Sequence, residues 1–188
     1  MAILVLGLVL FLGLHCLRVV APQWRDAQLA ARGEGPFKGM YSAASILAFA
    51  VLVYGFGVAR ETTGLLYIPP EWGRSFLHIA MPISFVLFVA SQLPQGNLKK
   101  RLQHPMLWAT VIWAVGHLLA NGETSSVLLF GAVLAWAVLL LFDCYKRPRP
   151  EPTPAKVWPD LVSLVLGFAI TIIFIMFLHQ WLIGVPVV

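Results

Sequence analysis

Charged residues are scarce in this sequence of 188 residues: 11% are Asp, Glu, Lys or Arg, whereas 60% are hydrophobic. A soluble domain of this size would carry about 25% charged residues. The apolar runs are also long, and several reach the roughly 20 residues that a bilayer-spanning helix needs. The composition therefore excludes a soluble domain and predicts an all-α protein, a polytopic bundle of transmembrane helices.

Cysteine and the common catalytic motifs are also sparse or missing. The two cysteines are Cys16, inside an apolar stretch, and Cys144, at the end of another, so no disulfide framework is indicated. No C-x-x-C-H segment occurs, so any haem would be held without covalent attachment. G-x-S-x-G and H-E-x-x-H are absent, and no pair of carboxylates lies inside an apolar stretch, so hydrolase, zinc-protease and carboxylate proton-transfer chemistry find no support.

The net charge of +5 does not indicate nucleic-acid binding. Most basic residues flank apolar segments, where they favour contact with the lipid bilayer and its anionic headgroups. There is no glycine-rich phosphate loop and no internal repeat, so an inverted-repeat transporter finds no support either. The apolar N-terminus lacks a charged leading segment and a cleavage signal, which predicts a retained first helix.

Six apolar stretches predict about six membrane helices in one integral-membrane domain, residues 1–188. Pro22 stops the first helix, and Pro105 opens the fourth at its first turn, where a missing N–H costs nothing. Pro82 falls inside the third helix and predicts a kink. The expected helices cover residues 2–20, 39–60, 74–93, 105–121, from the turn at 123–126 to 145, and 158–183.

The connections between these helices are short and polar. Residues 23–34 suit either a helix in the headgroup region, anchored by Trp24, or a plain polar loop. Residues 94–104 predict a polar loop. Residues 146–156 are rich in proline and charge, which predicts an extended loop.

Basic residues are distributed asymmetrically between the two sides of the predicted bundle. The connections after the first, third and fifth helices, with the adjoining helix ends, hold all of the 13 Lys and Arg residues except Arg60 and Arg74. Cytoplasmic loops carry the excess of basic residues. Both termini are therefore predicted to be non-cytoplasmic.

Two histidines lie inside predicted membrane helices, where an ionisable side chain is costly and usually faces the bundle interior. His15 is roughly 7–8 Å, and His117 about 18 Å, from the cytoplasmic end of its helix. Two imidazoles on different helices are what a haem or another metal centre requires. The alternative for each is an interhelical hydrogen bond.

Two glycines lie near this histidine pair, and three other histidines are alternative ligands. Gly13 and Gly116 would permit the close approach of a planar ligand or, more commonly, of another helix. The remaining histidines are interfacial by position, yet each is an alternative ligand: His78, His104 and His179.

The residues around these histidines occur in runs that resemble the NnrU family. The resemblance covers essentially the whole chain, and the combined pattern is specific. The matching runs are 15–18 (HCLR), 20–22 (VAP), 24–25 (WR), 39–42 (GMYS), 104–106 (HPM), 116–122 (GHLLANG) and 129–132 (LFGA).

The resemblance implies a bacterial inner-membrane protein linked to denitrification, through nitrite and nitric oxide reduction. The NnrU family is similar to the plant 15-cis-zeta-carotene isomerase, an integral membrane enzyme that uses haem b. In that relative, a histidine in the first shared helix and one in a later W-x-x-x-H helix are implicated as haem ligands. By this resemblance, His15 and His117 would be the axial ligands of a non-covalent haem b. Gly13 and Gly116, close to these histidines in the sequence, are the further predicted cofactor-binding residues.

Two functions of different classes follow. The first is a redox-linked haem b protein, including a redox-gated isomerase of an apolar, polyene-like substrate. The alternative is a non-enzymatic assembly or scaffold factor for a denitrification reductase, in which the histidines join helices and the loops contact denitrification proteins. The sequence indicates neither the substrate nor the role of the sixth helix.

Overall fold

A computed structural model describes residues 1–148, 153–185 and 187, and these residues form helices and short connections without a β-strand. This architecture confirms the predicted all-α class. The helices are α1 Ala2–Val20, α2 Pro22–Arg32, α3 Glu34–Thr62, α4 Gly73–Gln92, α5 Asn97–Leu102, α6 Pro105–Ala120, α7 Thr124–Lys146 and α8 Trp158–Ile183.

Five helices are long and apolar enough to cross a membrane: α1, α3, α4, α7 and α8, with mean hydropathy between 1.6 and 2.9. The sixth apolar helix, α6, has 16 residues. It is about 24 Å long, somewhat less than the hydrocarbon core of a typical bilayer. The six predicted apolar stretches thus correspond to six helices of a polytopic membrane protein. The orientation of the termini stays a prediction.

Two connections differ from the simplest expectation. The segment after Pro22 is a helix, α2, with the proline in its first turn, and is not a plain loop. Its location in the headgroup region stays a prediction. It ends at Gly33, whose φ of 79° favours glycine, and α3 begins at once, five residues earlier than predicted. An ion pair between Glu34 and Lys38 joins the first turn of α3 to the next.

The predicted polar loop at 94–104 contains the short helix α5, so that prediction was wrong in part. The Asp160 carboxylate, at the start of α8, accepts hydrogen bonds from the backbone N–H groups of Asn97 and Leu98 and from the Asn97 side chain. These bonds satisfy N–H groups that the first turn of a helix leaves without partners. The predicted extended loop at 146–156 lies partly outside the described residues.

The described chain forms two compact units. The first comprises Met1–Leu66 and Glu123–Ala132, and the second comprises Tyr67–Gly122 and Val133–Val188. The prediction of one domain over the whole chain stays a prediction.

In the first unit, α1 and α3 pack closely because glycines stand at their contacts. A Cβ atom on Gly7 would lie 2.5 Å from the Leu52 Cα atom, and a Cβ atom on Gly55 would lie 2.6 Å from the Leu4 nitrogen. Backbone atoms cannot move aside as a flexible side chain can. Both contacts therefore require glycine, as in other closely packed membrane helices.

In the second unit, α4 packs against both α6 and α8. The Ser84 hydroxyl donates a 2.8 Å hydrogen bond to the Ala109 carbonyl, joining α4 to α6. Gly167 of α8 lies so near Val86 that an added Cβ atom would be 2.6 Å from the Val86 Cα atom. Helix α4 is thus the element against which the histidine-bearing helix α6 is held.

Candidate functional site

His15 lies in the penultimate turn of α1 and is partly buried in the first unit. Its Nδ1 atom is 2.7 Å from the Phe11 carbonyl oxygen, one turn earlier on the same helix. The imidazole packs against the Phe11 ring, with the ring centroids 4.4 Å apart, and meets the Tyr41 ring edge-on at 5.8 Å. The side chain is therefore held by its own helix and by an aromatic residue of α3.

His117 lies in the last turn of α6 and repeats this arrangement in the second unit. Its Nδ1 atom is 2.8 Å from the Trp113 carbonyl oxygen, again four residues earlier. The Trp113 ring packs against the imidazole, with the centroids 5.0 Å apart. Both predicted ligands thus have the same local geometry: a carbonyl bond on one ring nitrogen and an aromatic side chain one turn away.

The hydrogen bond at Nδ1 fixes the tautomer of each imidazole. A carbonyl oxygen only accepts, so Nδ1 must carry the proton in both His15 and His117. In the neutral ring, Nε2 then has the lone pair. Histidines that ligate metals almost always donate their other ring N–H to a carbonyl or carboxylate in this way. The donor set on each helix suits a metal or haem ligand.

Asn121 and Gly116 fix the end of α6 that carries His117. The Asn121 side chain and backbone N–H both donate to the His117 carbonyl, each at 2.9 Å. The buried Gly116 faces three α4 side chains, and a Cβ atom added to it would have its nearest neighbour at 3.0 Å. These side chains are Leu77, Ala80 and Met81.

The connection before α4 holds the same end of α6. The Tyr67 hydroxyl donates a 3.1 Å hydrogen bond to the Asn121 carbonyl, and the Tyr67 N–H donates to the Gly122 carbonyl. At Gly122 an added Cβ atom would collide with the Tyr67 carbonyl oxygen, and at Gly73 with that of Leu119. Residues 116–122 (GHLLANG) thus form a helix terminus whose contacts fix the position of His117.

We expect the replacement of Asn121 with alanine to lower the free energy of unfolding by about 1 kcal/mol, because the His117 carbonyl loses a hydrogen bond at a partly buried helix end. Asn121→Asp keeps the size of the side chain but removes the amide N–H, so it should lose as much stability as the alanine variant. Unfolding in detergent measures both. An aspartate variant as stable as the wild type would show that the N–H donor is unimportant.

The predicted accessory residues have distinct surroundings. Gly116 packs against α4, as the helix-packing alternative expects, whereas a Cβ atom on Gly13 would meet no atom within 4 Å among the described residues. Whether either glycine contacts a cofactor stays a prediction.

The three alternative histidines also differ from one another. His78 lies on α4, and His104 is the residue before α6, with its ring 5.3 Å from that of Tyr145. His179 of α8 has its Nδ1 atom 2.7 Å from the Val185 carbonyl oxygen. All three belong to the second unit, as His117 does, so each stays an alternative ligand. His179 directly follows a π-helical turn, Phe174–Leu178, and such turns recur at functional sites.

His15 lines an open cleft of about 670 Å³ in the first unit. Leucines and Phe37 form the apolar part of its wall, and the Tyr41 hydroxyl stands beside them, bonded to the Leu14 carbonyl at 3.4 Å. Arg18 and Arg25 belong to the same wall. The cleft was not predicted from the sequence, although the spacing of His15 and Arg18 places both on one face of α1.

Among the described residues, no three or more His, Cys, Asp or Glu side chains come together as a metal-binding group. A structural zinc site, with its usual four protein ligands, is therefore not seen in that part of the chain. His15 belongs to the first unit and His117 to the second.

The helices and their histidines define a polytopic helical membrane protein with an oriented imidazole in each unit. No curated protein and no solved structure is significantly similar to it. The chain belongs to the NnrU protein family, whose model matches residues 3–187, nearly the whole length. The family points to a membrane protein linked to denitrification.

Proposed function

We propose that this protein is a haem b-binding protein of the bacterial inner membrane, with His15 and His117 as axial ligands. The observation that carries the proposal is the matched geometry of the two imidazoles. Each is oriented by a bond from Nδ1 to the carbonyl four residues earlier, so each has Nε2 as the nitrogen with a lone pair. The absence of C-x-x-C-H means that the haem would be held without covalent bonds.

The surroundings of His15 also suit such a group. Haem b is a flat apolar molecule with two propionate side chains, and the cleft beside His15 combines apolar walls with arginine side chains. Its volume of about 670 Å³ lies in the range of ordinary ligand and cofactor sites, roughly 300–1,000 Å³. The site thus offers both an iron ligand and partners for carboxylates.

In this proposal, different residues orient the imidazoles, shield them and hold the end of α6. Phe11 and Trp113 orient the imidazoles through their carbonyls and shield them with their rings. Asn121 is a positioning residue that holds the helix terminus at His117. Bound haem would supply one-electron redox chemistry, including a redox-gated isomerisation of an apolar, polyene-like substrate in the denitrification context.

Absorption spectroscopy tests the proposal directly. The chain is purified in detergent from haem-replete cells, and oxidised and dithionite-reduced spectra are recorded with a pyridine haemochrome assay. We expect a Soret band, sharp α and β bands on reduction, and a stoichiometric amount of haem b. A colourless, folded protein would overturn the proposal and favour the non-enzymatic assembly factor for a denitrification reductase.

The identity of the second ligand is decided by a pair of variants. We expect His15→Ala to lose the low-spin spectrum of two axial imidazoles, whereas His179→Ala should leave that spectrum unchanged. Electron paramagnetic resonance of the oxidised protein distinguishes the two spin states. The opposite result would assign the second ligand to His179, which belongs to the same unit as His117.

A further inference from the structure

The cleft beside His15 has an excess of positive charge. Its wall includes three cationic side chains, Arg18, Arg25 and Lys38, and a single carboxylate, that of Glu34. All lie at the end of α1, on α2 or in the first turns of α3. A ligand with acidic groups would therefore be favoured at this end of the cleft.

These cations are not equally available to a ligand. Lys38 pairs with Glu34 at 2.6 Å, and Arg25 pairs with Asp26 at 2.9 Å. Arg18 forms no ion pair with any carboxylate among the described residues. Its charge is the one in the wall without a compensating carboxylate in that part of the chain.

Arg18 also lies on the same face of α1 as His15, the proposed iron ligand. It lies three residues after His15 on α1, and side chains at this spacing are neighbours on one helix face, about 5–6 Å apart at Cβ. Both residues line the cleft together with Leu14 and Leu17. This stretch of α1 thus provides the cleft with an imidazole, two apolar side chains and a guanidinium.

We infer that Arg18 binds a propionate carboxylate of the haem whose iron His15 ligates, with Arg25 as a second, partly neutralised partner. This assignment rests on the proposed function. A guanidinium suits this role because its planar donors match a carboxylate in a bidentate fashion and its charge is permanent. Arg18 is here a binding residue for the carboxylate and gives the haem a defined rotation about its axial bonds.

Titration of the apo form of the full chain with two probes tests this inference. Haemin carries free propionates, whereas haemin dimethyl ester has the same ring and iron without the negative charges. We expect Arg18→Gln to weaken haemin binding about tenfold, the loss expected for one charge-assisted hydrogen bond. The same variant should bind the dimethyl ester as the wild type does. The Soret absorbance reports both titrations.

Arg32→Gln is the matched control. Arg32 lies at the end of α2, outside the cleft wall, and its guanidinium contacts the Met40 sulfur at 3.0 Å. The substitution removes the same charge from the same group of helices, so this variant should bind both probes as the wild type does.

The outcomes separate this inference from the proposed function. A wild-type chain that binds neither haemin nor its ester overturns both. A wild-type chain that binds haemin, with Arg18→Gln and Arg32→Gln indistinguishable from it, leaves haem binding intact and overturns the role of Arg18. In that case the basic residues here contact anionic lipid headgroups instead. Equal weakening of both probes by Arg18→Gln would also overturn the role, because the effect would not depend on the propionates.

Discussion

Replacing His117 with alanine should reduce bound haem from a stoichiometric amount to background. The imidazole is the group through which this helix terminus would hold iron, and Asn121, Trp113 and Gly116 all serve to fix it. The pyridine haemochrome assay measures the loss, and circular dichroism establishes that the helices persist. His78→Ala is the matched control: it removes an imidazole from α4, and its haem content should equal that of the wild type.

Added imidazole distinguishes an iron ligand from a structural residue at position 117. In His117→Gly the side chain is removed entirely, so free imidazole in the buffer should enter the space and restore the low-spin spectrum. Rescue would show that the missing group acts as an iron ligand and not as a structural support. Full haem content in His117→Ala would contradict the assignment and point to another histidine: His78, His104 or His179.

Gly55→Ala should give a large loss of stability in the first unit. The new methyl group would lie 2.6 Å from backbone atoms of both Ile3 and Leu4. These atoms belong to the α1 backbone, so α1 and α3 would have to separate along their contact. We expect the free energy of unfolding to fall by about 3 kcal/mol, the upper part of the usual range for overpacking.

Gly57→Ala provides the comparison within the same helix. Gly57 is exposed, and a Cβ atom there would meet no other described residue within 4 Å. Alanine in the interior of a helix is favoured over glycine by roughly 0.5–1 kcal/mol. This variant should therefore be as stable as the wild type or slightly more stable. Unfolding by SDS in mixed micelles compares the two, and equal stabilities would show that the α1–α3 contact tolerates a wider spacing.

The amino-acid sequence determined the class of this protein and the positions of its apolar helices. Hydropathy and length are local properties, and in a bilayer a backbone segment must satisfy its own hydrogen bonds, so long apolar runs become helices almost regardless of their neighbours. For the same reason His15 and His117 could be assigned to α1 and α6, although the structure places His117 in the last turn of its helix. Their carbonyl bonds join residues four positions apart, which a helix places within reach of each other.

Contacts between distant residues were decided only by the tertiary structure. The helix at 97–102 was missed because its first turn is capped by Asp160, 63 residues away from Asn97. The roles of Gly55 and Gly122 depend on which backbone lies opposite each of them. Gly57, two positions after Gly55, has no such neighbour in the described part of the chain. The cleft that joins His15 to Arg18 and Tyr41 forms where three helices meet. Local hydropathy carries no information about such tertiary contacts, because they depend on packing between segments far apart in the chain.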